Sequence, residues 1–334
     1  MGSLLCCCEP AAPKKRSQDT KQSINMLSTA YSLSSYLDDL PNAPTSSIMI
    51  DGSSGMIYYP DKETFCTIDY LPKIPGKAIQ TENNMVLIVG SGGFPFVNTY
   101  KVDLIHQRLI KLDDLNQGRF FHALANLKNK IYAIGGCLSG ILKSVEMFDG
   151  DNWIEVEPMC LPREHHSATT CNDKIYVFAG DDLNDGIEEY DGKRWMLLPV
   201  TLPLKIREIG LCSFNNSIYI VGGYRFVLSK LGDSSRFWRF DVKDQRFEEL
   251  QNFPYADSFE DSGVYTKGDM HFIGKKSGYV YDVEFGNWRV IEKKSACIKC
   301  RSTKCKGGKY CPWSRRKLAL LMYKYVKIEQ INYL

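Results

Sequence analysis

The 334-residue chain has no apolar run approaching the roughly 18 to 20 residues that a membrane span needs. Its N-terminus lacks a leading basic region, and the apolar stretch there is only Leu4 to Cys8, so a secretory signal is not expected. Helical periodicity is nearly absent outside the ends, which points away from a helical fold. Histidine is scarce, with five residues at positions 106, 122, 165, 166 and 271. Nothing spells out a Ser-His-Asp set, a phosphate loop or a metal facial triad, so enzymatic activity is not expected. With 44% hydrophobic residues, the chain is nevertheless rich enough to bury one large core.

What the chain does contain is a repeat. An aspartate next to an aromatic or apolar residue precedes a bulky apolar side chain four to six positions later, six times over. The copies are Asp61…Phe65, Asp103…Leu109, Asp149…Trp153, Asp191…Trp195, Asp241…Phe247 and Asp282…Trp288. Their last members are spaced by 44, 44, 42, 52 and 41 residues, a period that implies stacked or radial units. Upstream of several copies runs a β-rich stretch ending in glycine: Ile131 to Gly135 and Gly136, Ile175 to Gly180, Ile218 to Gly222 and Gly223.

The fourth copy shows how one unit folds. Ser167 to Cys171 reads as an extended run, and Asn172-Asp173 as a turn. Ile175 to Phe178 is a short apolar strand bounded by glycine, as expected for a strand covered on both faces. Glu188 to Tyr190 makes a third strand, Asp191-Gly192 a hairpin turn and Trp195 the start of a fourth. Four antiparallel strands in a unit of this length form one propeller blade.

These residues resemble the kelch family of β-propellers. The matching marks are Arg119-x-x-His122 and Arg163-x-x-His166, the double glycines, the Tyr/Phe-Asp and the late Trp153, Trp195 and Trp288. The fifth copy keeps Arg207 but has Gly210 where histidine is common; the first, second and sixth are degenerate. The resemblance covers roughly residues 46 to 292 and implies an all-β, six-bladed propeller. His122 and His166 are then structural, and Arg119, Arg163 and Arg207 either brace neighbouring blades or make contacts. The copper radical oxidases of this family need a Tyr–Cys crosslink with two His ligands, and no such constellation stands here. No module of the BTB or F-box type is read upstream of the propeller.

The first blade lacks a good first strand, because Asp38-Asp39-Leu40-Pro41 is poorly suited to one. Pro312-x-x-x-Arg316 followed by Leu318 to Tyr323 repeats the phase of Pro162-Arg163…Ser167. Residues 313–334 are therefore expected to supply that strand and close the ring, which removes an open sheet edge. A basic amphipathic helix on a membrane is the competing reading of the same segment.

Residues 1–23 read as a lipid anchor. Met1-Gly2-Ser3-Leu4-Leu5-Cys6 approaches the myristoylation pattern at Gly2, although Cys6 stands where Ser or Thr is preferred. Cys6, Cys7 and Cys8 would then lie beside the bilayer as palmitoylation sites, with Lys14-Lys15-Arg16 facing anionic headgroups. Residues 24–45 read as a polar linker. This places the protein at the cytoplasmic face of a membrane, where thiols stay reduced. A soluble adaptor without lipid is the alternative.

Twelve cysteines are not evenly paired. Cys66, Cys137, Cys160, Cys171 and Cys212 read as small buried hydrophobes. In the basic insertion 293–312, Cys297, Cys300, Cys305 and Cys311 suit a structural Zn²⁺, disulfides, or reduced or lipidated thiols; otherwise no cofactor is expected. Residues 289–334 carry about +11, against +3 for the whole chain. A basic tail on an acidic ring suits an anionic membrane surface better than nucleic acid, since no stacking module accompanies it.

The expected role is a scaffold for protein partners, whose identity the sequence does not name. Propeller loops vary freely while strands hold them. Four connections after second strands carry contact chemistry: Phe94-Pro95-Phe96, Leu138 to Leu142, Asp181-Asp182 to Asp185, and Tyr224-Arg225-Phe226. The remaining alternative is an enzyme using the propeller channel.

Overall fold

A computed structural model describes residues 49–293 apart from 52–55, 68–75, 82–84, 92–93, 104–105, 107, 181–184, 228–229, 252 and 260–262. The described residues form strands, turns and one 3₁₀ turn, Pro60–Lys62. A three-stranded antiparallel sheet comes first: β1 (Met49–Asp51), β2 (Met56–Tyr59) and β3 (Thr64–Thr67). Two four-stranded sheets follow, β4 (Lys77–Gln80) to β7 (Arg108–Lys111) through β5 (Val86–Ser91) and β6 (Asn98–Asp103), then β8 (Ala123–Leu127), β9 (Lys130–Ile134), β10 (Val145–Phe148) and β11 (Trp153–Val156). The next contains β12 (Ser167–Cys171), β13 (Lys174–Phe178), β14 (Gly186–Tyr190) and β15 (Trp195–Thr201). In the fifth sheet β16 (Gly210–Phe214) and β17 (Ser217–Val221) pair with the later strands of the unit. Between them lies a separate hairpin, β18 (Tyr224–Val227) and β19 (Lys230–Asp233), before β20 (Phe237–Asp241) and β21 (Arg246–Glu249) complete the sheet. The last sheet is β22 (Val264–Thr266), β23 (Asp269–Ile273), β24 (Gly278–Asp282) and β25 (Asn287–Ile291).

Each sheet is a meander because its turns are chemically specified. Asn172 and Asp173 take φ of 50° and 58° between β12 and β13, the left-handed pair of a two-residue hairpin. The repeated aspartates cap the turn between third and fourth strands: the Asp191 carboxylate accepts from the Lys193 and Arg194 amides at 2.8 and 2.9 Å. Asp149, Asp241 and Asp282 do the same in their own sheets. Across that hairpin the bulky residues pair directly: Tyr58↔Phe65, Val102↔Leu109, Phe148↔Trp153, Tyr190↔Trp195, Phe240↔Phe247 and Tyr281↔Trp288.

This phase makes β1 a second strand, β2 a third and β3 a fourth. Six complete blades were expected, whereas the described residues give five four-stranded blades and this shorter sheet. Both segments weighed for an innermost strand of the first sheet, the stretch before residue 46 and residues 313–334, lie outside the described residues. The extra hairpin, from Tyr224 to Asp233, accounts for the 52-residue interval.

Apolar clusters sit between sheets rather than within them. Ile57 and Tyr59 of the first sheet pack on Val86 and Ile88 of the second, and the series continues sheet by sheet to Phe237 and Phe272. A further cluster joins Tyr58 and Phe65 of the first sheet to Ile273 of the last. Polar links strengthen that seam: Tyr58 Oη lies 3.0 Å from His271 Nδ1, and Arg289 donates to Glu63 at 2.7 Å. Adjacent sheets also share hydrogen bonds; the Trp153 indole donates to Thr99 Oγ1 at 3.0 Å, and Trp195 to the Glu157 carbonyl at 2.9 Å.

Candidate functional site

Two wholly buried arginines hold the connections that face the innermost strands. Arg119 donates to the Gly135 and Ser144 carbonyls at 2.8 and 2.9 Å and to Glu146 at 2.8 Å. Arg163 repeats this one blade later, donating to the Ala179 and Gly186 carbonyls at 2.7 and 2.8 Å and to Glu188 at 2.9 Å. The two carboxylates also cap the loops before each arginine, taking the Asn116 and Gln117 amides and the Cys160 and Leu161 amides. Each arginine therefore pins the second-to-third connection of its own blade. Burial pulls the Arg119 pKa below its ordinary value, and Glu146 opposes that shift. Glu146 and Glu188 were missed in the sequence, although their 42-residue spacing is in phase with the repeat.

His122 and His166 lie beneath these turns and are buried. Burial drives both pKa values well below the usual histidine value, with Arg119 and Arg163 adding to it, so both rings are neutral. Their rings fill the space left by a glycine of the preceding blade. Gly135 has φ of +57°, and a Cβ there would stand 2.7 Å from the Arg163 carbonyl oxygen and 2.8 Å from the His166 ring. Gly136 donates from its amide to the Arg163 carbonyl at 2.8 Å, and Gly223 to the Asp257 carbonyl at 2.9 Å. Gly222 packs on Phe259, and Ala179, before Gly180, holds the left-handed position at φ of 64°.

The fifth blade corrects the sequence phase. Arg119 and Arg163 precede their first strands by four residues, and four residues before β16 stands Ile206, which is buried with Ile209. Arg207 is half-buried and outside the brace. Its backbone pairs with Tyr224, and its guanidinium sits 5.3 Å from the Tyr224 ring centre. Cys160 is another correction: Cys137, Cys171 and Cys212 are buried, but Cys160 is exposed at the loop its amide helps to cap. Burial raises the thiol pKa of Cys137 to about 12, with Glu164 adding to it, so that sulfur is unreactive.

On the outward side of the same turns, residues of successive blades meet. Phe121, His165 and Glu208 each stand two residues before a first strand, each with φ of 54°. Their backbones are stitched together: the His165 amide donates to the Phe121 carbonyl at 3.0 Å, Glu208 to His165 at 2.9 Å and Phe259 to Glu208 at 2.8 Å. The side chains continue the series. The Phe121 and His165 rings stack at 3.8 Å, His165 Nδ1 lies 2.9 Å from Glu208 Oε1, and Lys275 Nζ is 2.6 Å from Glu208 Oε2. Although partial burial opposes it, hydrogen bonds from His165 and Lys275 hold the Glu208 pKa down to about 2.

Aromatic side chains extend the array at its other end. Phe96 packs on Phe120 at 5.3 Å, Phe120 on Phe121 at 4.8 Å, and Phe94 meets Phe96 edge-on at 6.4 Å. Phe94, against Phe96, is 80% exposed and Phe121, against Phe120, 45% exposed, large values for packed aromatic rings. Of the loop residues chosen from sequence, Phe94 and Phe96 join this array. Leu138 is half-buried on the neighbouring connection, bounded by the Phe120–Cys137 bridge. Tyr224 joins through Arg207, while Arg225 lies on the hairpin, half-buried. Asp181 and Asp182, expected at a contact surface, lie outside the described residues, as do Gly2, Cys6, Cys7, Cys8, Cys297, Cys300, Cys305 and Cys311 and the side chain of Phe226. In the sequence only their common offset from the first strands signals Phe121, His165 and Glu208.

A depression of about 330 Å³ lies at the seam of first and last sheets, lined by Asp61, Glu63, Lys267, Asp269 and His271. Its charges pair internally, Lys267 with Asp61 at 3.0 Å and Arg289 with Asp269 at 2.8 Å. Among the described residues no group of three or more His, Cys, Asp or Glu side chains is placed to hold a metal ion.

Blades of four antiparallel strands, arginine braces under glycine turns and late aromatic partners define a β-propeller of repeated motifs. A family model described as the Kelch motif matches residues 118–159 and 207–254. Over these residues the chain carries the Kelch motif, and it resembles kelch-repeat proteins. It is similar to Kelch-like protein 35 of Mus musculus, at 27% identity over 198 residues, covering 54% of this chain and 33% of that one. It is similar to Kelch-like protein terF of Aspergillus terreus, at 26% identity, covering 54% of this chain and 43% of that protein. Beta-scruin of Limulus polyphemus matches at 24% identity, covering 45% of this chain and 18% of its own length. The chain thus spans less than half the length of these relatives.

Proposed function

We propose that this chain is a non-enzymatic adaptor that binds protein partners through the Phe94-to-Lys275 face. The carrying observation is the continuous array in which exposed Phe94 and Phe121 adjoin the His165–Glu208–Lys275 chain. Aromatic side chains on a rigid frame are the usual anchors of protein interfaces. The Kelch-like names of its relatives agree with this reading. The array has no obvious chemical output, because the polar groups that ring it are engaged with one another rather than aimed at a vacant reacting position.

The framework of this adaptor is a six-bladed ring. Its first sheet takes residues 318–323 as the innermost strand, beside β1. The N-terminus tethers it to the cytoplasmic leaflet through Gly2 and Cys6 to Cys8, with the basic C-terminal segment adding attraction to anionic lipid. Replacing Gly2 by Ala together with Cys6 to Cys8 by Ser abolishes membrane partitioning; unchanged partitioning overturns the tether.

Proximity labelling in the native cell tests the adaptor role. A Phe94→Ser, Phe121→Ser variant loses a set of labelled proteins that the parent and a Phe285→Ser control retain. Phe285 is 70% exposed in the turn between β24 and β25, away from the array. Identical labelling by all three removes the face from the mechanism.

A further inference from the structure

We propose that the cavity at the seam of the first and last sheets binds a primary ammonium group, in the place that the Lys267 side chain occupies. The inference stands apart from the adaptor reading, because the cavity lies at the other end of the blades from the Phe94-to-Lys275 face.

Two turns build the site. Lys267 and Gly268 join β22 to β23 with φ of 52° and 94°, the left-handed pair of a two-residue hairpin. The 3₁₀ turn Pro60–Lys62 contributes the other wall and ends at Glu63, whose φ is 47°. These connections follow a first and a third strand, whereas those of the Phe94-to-Lys275 face follow second and fourth strands. In an antiparallel meander the two sets lie at opposite ends.

The cavity presents hydrogen-bond acceptors. Asp61, Glu63 and Asp269 line it, each with one oxygen engaged: Asp61 Oδ1 by Lys267 at 3.0 Å, and Glu63 Oε1 and Asp269 Oδ2 by Arg289 at 2.7 and 2.8 Å. The second oxygen of each carboxylate makes no hydrogen bond with the described residues. His271 lines the same cavity and is only 3% exposed. Its Nδ1 lies 3.0 Å from Tyr58 Oη, while Nε2 has no hydrogen-bond partner among the described residues. Burial lowers the His271 pKa, although Asp269 and Glu63 oppose it, so at pH 7 the ring is neutral and one nitrogen keeps a lone pair. With Nδ1–H donating to Tyr58 Oη, that lone pair belongs to Nε2. An ammonium group carries three N–H donors and no acceptor, the complement of this set.

Charge decides what the ligand displaces. Counting Asp282, which is 3.8 Å from Arg289, four carboxylates meet three cations, Lys62, Lys267 and Arg289. Arg289 is held by Glu63 and Asp269 together, whereas Lys267 pairs with Asp61 alone and its side chain is 73% exposed. An exposed pair of that kind is weak. An incoming ammonium therefore exchanges with Lys267 and leaves the local charge unchanged.

The test titrates the full-length chain calorimetrically with Nα-acetyl-lysine methylamide, which represents a protein side chain, and with 1,4-diaminobutane, which represents a free amine. At least one binds, and the tighter of the two identifies the source; acetylation of its amines abolishes binding. Lys267→Gln binds the same amine about two- to fivefold more tightly, because the internal competitor is gone. Asp61→Asn binds it about fivefold or more weakly. A carboxylate cluster with a purely structural role gains nothing from the loss of Lys267. Binding of neither amine, equal binding of the acetylated form, or equal affinity of the parent and Lys267→Gln overturns the inference. None of these results bears on the Phe94 and Phe121 variants that test the adaptor reading.

Discussion

The buried guanidinium of Arg163 holds the buried carboxylate of Glu188 at 2.9 Å, and neither side chain has any exposure to solvent. The pair is satisfied on all sides, by the Ala179 and Gly186 carbonyls on one part and by the Cys160 and Leu161 amides on the other. Removing one member strands the other. Arg163→Met is expected to cost about 3 to 5 kcal/mol, and the double change Arg163→Met, Glu188→Leu clearly less than the sum of the single changes. Denaturant unfolding of the three variants measures both; additive losses would contradict the pairing.

The glycine that receives the next blade gives a sharper geometric prediction. Gly135→Ala places a methyl 2.7 Å from the Arg163 carbonyl at a φ of +57°. A loss of more than about 1 kcal/mol follows. Gly140→Ala, where nothing lies within 4 Å of the new methyl, changes stability by less than about 0.5 kcal/mol. Thermal unfolding of both checks the contrast.

The neutral histidines predict an acid limit. His122 and His166 have folded pKa values depressed below 6.5, so below about that pH the unfolded chain binds protons that the folded chain refuses. Stability is fully present above pH 6.5 and is lost as pH falls, by up to about 1.4 kcal/mol per pH unit for each histidine. Glu208 acts in a separate window, from about 4.5 downward toward 2, because its own value is lowered. Urea midpoints at pH 7.5, 6.5 and 5.5 should fall in that order; a flat profile would contradict burial of the two rings.

The seam between first and last sheets should respond to salt where the buried braces do not. Arg289 joins Glu63 and Asp269 with side chains about one-quarter to two-fifths exposed. Arg289→Met is expected to cost at most about 1 kcal/mol, a loss that shrinks at 1 M salt. A larger and salt-insensitive loss would mean that the ion pairs are not what the substitution removes.

The repeat and its strands were legible because they depend on local chemistry. Aspartate turns, two-residue hairpins and apolar runs between glycines fix β12 to β15 almost residue for residue. The fifth blade was misphased because Arg207 matches Arg163 in identity, while the fold counts back from the first strand and finds Ile206. Phe121, His165 and Glu208 escaped notice for a different reason. They are more than 40 residues apart in the chain, and only the packing of one blade against the next brings their side chains into line. The polar partners Glu146 and Glu188 were hidden among apolar strand residues, where a carboxylate reads as an outward position until its arginine is seen.

Closure of the ring is tested most directly by unfolding the full chain in urea beside a variant that lacks residues 313–334. A single cooperative transition in the full chain, broadened or lost in the shortened one and restored by adding a 313–334 peptide, is the expected result. Equal midpoints and slopes for both chains would contradict the pairing of that segment with β1.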